Sequence, residues 1–146
     1  IGGGALAYAP LLERNRLPSL LVLGLSGNGL GDEVACALAA ALLTNSTLLR
    51  LFLTDNQIGC VGAAAFAKLL ESGDRLGSRL ERLGLALNRI GTAGGMALGL
   101  ASKESHLERL CFFGNPCLDP TSQDYSAAAT ELLELLTNVN LLESKV

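Results

Sequence analysis

Tryptophan is absent from these 146 residues, and aromatic residues of every kind make up only 4% of them. That scarcity excludes a core built on bulky rings, and it removes the aromatic platforms on which single-stranded nucleic acid stacks. Charge is also sparse. Charged residues are 17% of the chain, and 11 basic against 14 acidic side chains leave a formal net charge of -3, so there is no basic field to hold a nucleic acid. Long hydrophobic runs are missing. The longest, Val34 to Leu43, is ten residues, well short of the roughly 18–20 that cross a bilayer, and it is expected to form a buried helix. The single histidine, His106, stands in the loop before Leu107 with no serine or cysteine set beside it by motif, so a nucleophile–base pair has no support. Cys36, Cys60, Cys111 and Cys117 contain no CxxC pair, which argues against a metal cluster and for reduced, mostly buried thiols in an intracellular compartment. Gly2-Gly3-Gly4 and Gly27-Asn28-Gly29 lack both the Lys-Ser/Thr ending of a phosphate loop and the dinucleotide-binding spacing. No catalytic residue, cofactor site or metal site is expected.

What the chain does have is leucine, alanine and glycine in a strict pattern, within a hydrophobic content of 49%. Leu48, Leu51, Leu53, Asn56 and Ile58 stand at offsets 0, 3, 5, 8 and 10 of one frame. The frame also occurs upstream as Leu20, Leu23, Leu25, Asn28, Leu30, and downstream as Leu80, Leu83, Leu85, Asn88, Ile90 and as Leu107, Leu110, Phe112, Asn115, Cys117. Alternation of side chains along a strand sends offsets 3 and 5 to one side. Stacked frames should therefore pair their strands in parallel and line the leucines up as a buried wall. Each frame is followed by an apolar, alanine- and glycine-rich stretch with helical spacing. Asp32 and Thr92 stand where N-caps are expected. Ala37, Ala40, Ala64 and Ala65 are expected to let helices sit close, and Gly62, Gly94 and Gly95 to relieve crowding at helix starts.

The asparagines Asn28, Asn56, Asn88 and Asn115 form a column at one offset. Where a strand ends, the backbone loses its ladder partners, and an amide side chain can donate to one turn while accepting from the next. A structural role is therefore expected of this column, not a polar active site. Successive asparagines are 28, 32 and 27 residues apart. The long interval holds Gly73-Asp-Arg-Leu-Gly-Ser78, whose glycine, serine and charges read as a surface loop.

The ends differ from the middle. Gly4 to Leu12 matches Gly62 to Leu70 position for position, so residues 1–19 read as the helical half of a repeat whose strand half is missing. With neither a starting methionine nor a signal pattern, the opening IGGGALAYAPLL reads as the interior of something longer. Residues 20–115 hold the four frames. Residues 116–146 read as a terminating segment with a helix and a last strand near 141–146, since Pro116 and Pro120 each remove an amide donor. A rival alignment sets Leu135–Asn138 on Leu42–Asn45 and makes Leu141 the start of a fifth frame. Glu131 and Glu134 are expected on a solvated helix face. All of 1–146 is read as one domain.

The frame L-x-x-L-x-L-x-x-N-x-L is the leucine-rich repeat signature. The pieces Asn56-Gln-Ile-Gly59…Gly62-Ala and Asn88-Arg-Ile-Gly91…Gly94-Gly, with a period near 28, resemble the ribonuclease-inhibitor subtype. Phe113-Gly-Asn-Pro116-Cys-Leu followed by Asp124-Tyr125 resembles the C-terminal cap of intracellular leucine-rich repeat proteins. The resemblance implies an α/β solenoid, a horseshoe segment with a parallel concave sheet and convex helices. It also implies protein–protein recognition in the cytoplasm, and it is compatible with a ciliary or cytoskeletal complex.

Offsets 2, 4, 6 and 7 must then face away from the wall, on the concave side. They place Arg50, Arg82 and Arg109 on adjacent strands, with Phe52, Asp55, Leu87 and Phe113 beside them. Like charges opposite one another repel, so the column favours an acidic protein surface, and arginine with aromatic anchors is the composition of interface hot spots. These seven residues are the candidate protein-binding set. Binding through the helix face or a flank, and a mainly structural role in a larger assembly, are the competing readings. The expected function is a non-catalytic scaffold or adaptor, part of a larger protein or complex. Two alternatives stand beside it: a GTPase-activating protein resembling that of Ran, and the C-terminal sensing arm of a nucleotide-binding immune receptor.

Overall fold

The repeated frame produces one strand per copy. In the computed structural model, which describes residues 3–76 and 78–123 together with Glu131 and Glu134, β1 (Val22–Gly24), β2 (Arg50–Phe52), β3 (Arg82–Gly84) and β4 (Arg109–Cys111) form a parallel sheet in sequence order. The register is in phase across the whole sheet. Leu23 lies opposite Leu51, Leu51 opposite Leu83, and Leu83 opposite Leu110. This wall and the next row, Leu25, Leu53, Leu85 and Phe112, are all buried. Pairing continues past each strand, with Leu25 N–H donating to the Phe52 carbonyl at 2.8 Å, Leu53 to Gly84 at 2.8 Å and Leu85 to Cys111 at 2.7 Å.

Helices close the other side of the wall. The pair α1 (Gly3–Leu6) and α2 (Tyr8–Leu12) lies against α3 (Asp32–Leu42), α3 against α4 (Cys60–Leu76), and α4 against α5 (Thr92–Lys103). The first helix pair is tied down by polar contacts as well as packing. Asn45, 1% exposed, donates through Nδ2 to the Leu12 carbonyl at 2.9 Å, and its Oδ1 accepts from the Thr47 and Leu48 amides. Asn15 exchanges two hydrogen bonds with Ser46.

Three local expectations are corrected. Gly31 and Gly91 occupy the N-cap positions, and Asp32 and Thr92 are the first helical residues. Asp32 turns its carboxylate to the following repeat, where Oδ1 accepts from the Gly59 N–H at 2.8 Å and the Gly62 N–H at 2.9 Å. It thus satisfies amides at the start of α4 rather than of its own helix. The stretch expected as a surface loop from Gly73 does not begin there. Helix α4 continues to Leu76 and reaches 17 residues, against 11 in α3 and 12 in α5, so the insertion mostly lengthens the helix. Finally, only Cys117 is buried among the thiols, and Cys36, Cys60 and Cys111 are partly exposed.

Glu131 and Glu134 are helical and exposed. The expected cap helix, the last strand and the rival fifth frame otherwise lie outside the described residues.

Small residues set the helix spacing. A Cβ built on Gly62 would stand 2.8 Å from the Cβ of Ala35 and 2.6 Å from Ile58 Cγ2, and one on Gly94 would stand 3.0 Å from Ala63 Cβ. Gly62→Ala is expected to wedge α3 from α4 and cost about 1–3 kcal/mol of unfolding free energy, measured by urea denaturation.

The asparagine column makes further inter-repeat contacts. Asn56 Oδ1 accepts from the Asn28 and Leu30 amides at 3.0 Å each, and its Nδ2 donates to Leu25 O at 3.1 Å and Leu53 O at 2.9 Å. Asn88 spans from the Ile58 amide to the carbonyls of Leu53 and Leu85. Asn115 spans from the Ile90 amide to those of Leu85 and Phe112. Asn28 is exposed, and its side chain bonds only Leu25 and Ser26 of its own turn. Asn56→Ala takes the acceptor from the Asn28 and Leu30 amides, while Leu25 O and Leu53 O keep bonds from Asn28 and Asn88; Asn28→Ala removes donors from Leu25 O, which keeps Asn56, and from Ser26 O near water. The first is expected to destabilise by about 2 kcal/mol or more beyond the second in the same denaturation measurement.

Candidate functional site

Strands in phase bring side chains of equal offset side by side, on the face that carries no helix among the described residues. Arg50 is the register partner of Arg82, and Arg82 of Arg109. Neighbouring strands lie roughly 4.8 Å apart, so three guanidinium stems rise from adjacent strands. Arg50 and Arg109 are exposed and Arg82 is partly buried. The Nε of Arg82 is buried and meets no hydrogen-bond partner.

The surface beside the arginines is less exposed than side-chain alternation alone predicts. Phe52 and Phe113 are half-buried, not open, and Gly84 and Ala86 on the same face are buried. The cause is the uneven size of neighbours at offset 4. A Cβ on Gly84 would stand 3.1 Å from Phe52 Cδ1, so the Phe52 ring reaches across the glycine of the next strand. The result is a hollow of about 150 Å³, mostly apolar, lined by Phe52, Thr54, Arg82, Leu83, Gly84, Arg109 and Cys111.

Three of the seven residues expected to bind, Phe52, Arg82 and Arg109, thus share one hollow. Arg50 stands next to it in register. Asp55 lines a separate, polar hollow with Gly27, Gly29, Asn56, Gln57 and Arg89. Phe113 lines neither. Thr54, Gly84 and Cys111 were not expected as site residues. The pointer to them was available, since offset 4 reads Gly24, Phe52, Gly84, Cys111, a large ring followed by two small side chains.

Leu87 lies at a strained turn. The residue before each asparagine of the column has left-handed backbone: Gly27 (φ 71), Asp55 (φ 57), Leu87 (φ 54) and Gly114 (φ 74). Glycine takes this conformation freely and aspartate tolerates it, but leucine does so at a cost of about 1–2 kcal/mol. Leu87 is nevertheless 47% exposed. Its side chain lies over Gly114, where an added Cβ would stand 2.4 Å from Leu87 Cδ2.

His106 is exposed. The Asp119 carboxyl is held below its ordinary range by the N–H and the hydroxyl of Thr121, a local turn after β4. Among the described residues, no group of histidine, cysteine and acidic side chains could hold a metal ion. Nor, among them, is any helix long and apolar enough to cross a membrane.

Comparison with known proteins agrees with this architecture. A family profile described as "Leucine Rich repeat" matches residues 16–39, 44–67 and 80–99. RAN GTPase-activating protein 2 of Arabidopsis thaliana is 32% identical over 95 residues, which are 65% of this chain and 17% of that protein. The chain therefore spans about a sixth of that relative's length. Among solved structures, Leiomodin-1 Actin-Binding Site 2 superposes with a TM-score of 0.67 at 20% identity, covering 95% of this chain and 71% of that one; at this identity the likeness concerns the fold.

Relief of the turn strain gives a direct test. Leu87→Asn is expected to raise the unfolding free energy by about 1 kcal/mol, because asparagine tolerates left-handed backbone. A urea melt reads the sign. A decrease would mean that the contact over Gly114 outweighs the strain.

Proposed function

We propose that this leucine-rich repeat solenoid is a non-catalytic protein-interaction scaffold or adaptor, acting inside the cell within a larger protein or complex. The observation that carries the reading is the in-register arginine column beside a mostly apolar hollow, on the face of the sheet that no helix covers among the described residues. Two ingredients of a recognition surface coincide there: charge that favours an acidic partner, and an aromatic edge over a concave floor. The binding set is Arg50, Phe52, Arg82 and Arg109, with Asp55, Leu87 and Phe113 as outer contacts. The actin-binding description of the solved neighbour supports protein binding as a use of this fold. The Asn-x-Ile-Gly pieces, and a helix of 11 to 17 residues in three of the repeats, support the ribonuclease-inhibitor-like subtype. The cap assignment rests on the sequence of residues 113–125.

A second reading is favoured by a specific observation, the 32% identity to RAN GTPase-activating protein 2. Under that reading the same face would bind a small GTPase and accelerate GTP hydrolysis.

Two measurements separate these readings. In affinity capture from cells followed by quantitative mass spectrometry, the folded Arg50→Glu/Arg82→Glu variant is expected to lose at least one stoichiometric partner that the unaltered chain retains. Identical partner sets would remove the concave face from consideration. In single-turnover assays with purified GTP-loaded Ran, the chain is expected to leave the hydrolysis rate unchanged. Acceleration that disappears in the same variant would establish the second reading instead.

A further inference from the structure

The hollow over Gly84 has a floor and a wall of different chemistry. Its floor is apolar, formed where the Phe52 ring leans over Gly84 and where Cys111 occupies the same offset on the next strand. Its wall is cationic, with Arg82 and Arg109 in register. Arg82 carries the buried Nε–H that no acceptor reaches. A buried charged donor without a partner is costly, and an anion bound by the partly exposed remainder of the Arg82 guanidinium would offset part of that cost. Water can solvate the exposed ends of the arginines, but a carboxylate meets a guanidinium through two parallel hydrogen bonds and also offsets the repulsion along the column.

We propose that this hollow is an anchor pocket for an acidic segment of a partner protein, which inserts one compact apolar side chain over Gly84 while a neighbouring carboxylate binds Arg82. This deepens the concave-face reading and rests on it. The hollow's volume of about 150 Å³ suits a single aliphatic side chain better than an indole. Charge complementarity selects the partner's sign. The glycine selects the anchor's place, because any side chain at position 84 would meet Phe52 Cδ1 at 3.1 Å and Thr54 Oγ1 at 3.3 Å and fill the floor.

Cys111 lines the hollow, is partly exposed and is not in a disulfide, so the pocket carries its own reporter. The intact chain is equilibrated with three small disulfide fragments that share an isobutyl group and differ only in a carboxylate, carboxamide or amine. Reductant is titrated, and the labelled cysteine is identified by peptide mapping, with Cys36 and Cys60 as internal controls and Cys111→Ser as the blank. The carboxylate fragment is expected to remain on Cys111 at about tenfold higher reductant than the carboxamide, the factor expected of one charge-assisted pair. The amine is expected to be weakest. Arg82→Gln should abolish the preference while apolar labelling persists, and Arg82→Lys, which keeps the charge without the fork, should retain part of it. Equal retention of acid and amide on the unaltered chain, or a preference that survives Arg82→Gln, overturns the proposal. With equal retention the hollow remains an apolar anchor and the concave-face reading stands. If Cys111 takes no fragment while Cys36 and Cys60 do, the pocket is refuted, and the concave face is then judged by partner loss in the Arg50→Glu/Arg82→Glu variant alone.

Discussion

Every turn of this solenoid faces the same difficulty: the chain must leave the sheet and cross to the helix side without abandoning buried backbone groups. The asparagine column resolves it. An amide side chain offers two donors and one accepting oxygen, and Asn56 uses all three, bonding the Asn28 and Leu30 amides and the Leu25 and Leu53 carbonyls. Both partners' turns are thereby locked in phase. A slip of one residue would reverse the direction of every side chain and set the leucine wall against water. The same locking has a consequence on the opposite face. Arg50, Arg82 and Arg109 are forced into register by contacts made elsewhere, so their mutual repulsion is a cost imposed by the ladder that holds the fold.

Concavity follows from two unequal spacings. Parallel strands sit about 4.8 Å apart, whereas packed helices need about 8–10 Å between axes. A sheet backed by helices must therefore curve with its strands inside. The glycines at Gly62 and Gly94, facing Ala35 and Ala63, bring the helices toward the short end of that range, which makes the curvature gentler. Asp32 adds a polar stitch at the same junction, bonding the Gly59 and Gly62 amides of the next repeat. The close approach at Gly62 and this carboxylate depend on one another, because a Cβ there would stand 2.8 Å from Asp32 Oδ1.

The architecture was legible because it is periodic. One leucine says little, but the same offsets occurring four times, with asparagine always at the eighth, leave few alternatives to stacked strand–helix units. What escaped was whatever depended on the neighbouring repeat. Asp32 has the residue type and place of a local N-cap, yet its hydrogen bonds are made 27 and 30 residues downstream, beyond any local rule. Gly73 and the residues after it have the composition of a loop, but helical propensity is a weak preference, and α4 runs on to Leu76. Alternation correctly turned Phe52 away from the leucine wall and mispredicted its exposure, since the small size of Gly84 one strand over lets the ring lie down. Nothing in the frame itself points to the bond from Asn45 to the Leu12 carbonyl, which only the position of the preceding helix explains.

The departures from regularity are not spread evenly. On β1 the outward positions are Val22, Gly24 and Ser26, with no charge among them. From β2 onward the same offsets carry the arginines, the half-buried Phe52 and Phe113, a guanidinium nitrogen without an acceptor and a leucine in left-handed backbone. The stacked like charges, the orphan nitrogen and the left-handed leucine each raise the energy of the isolated chain, and none is needed to close the solenoid, since β1 closes its own turn without them. Strain that a fold does not require tends to gather where binding occurs. By that reasoning the proposed recognition surface would be polarised along the solenoid, with β2 to β4 carrying specificity and β1 serving mainly as structure.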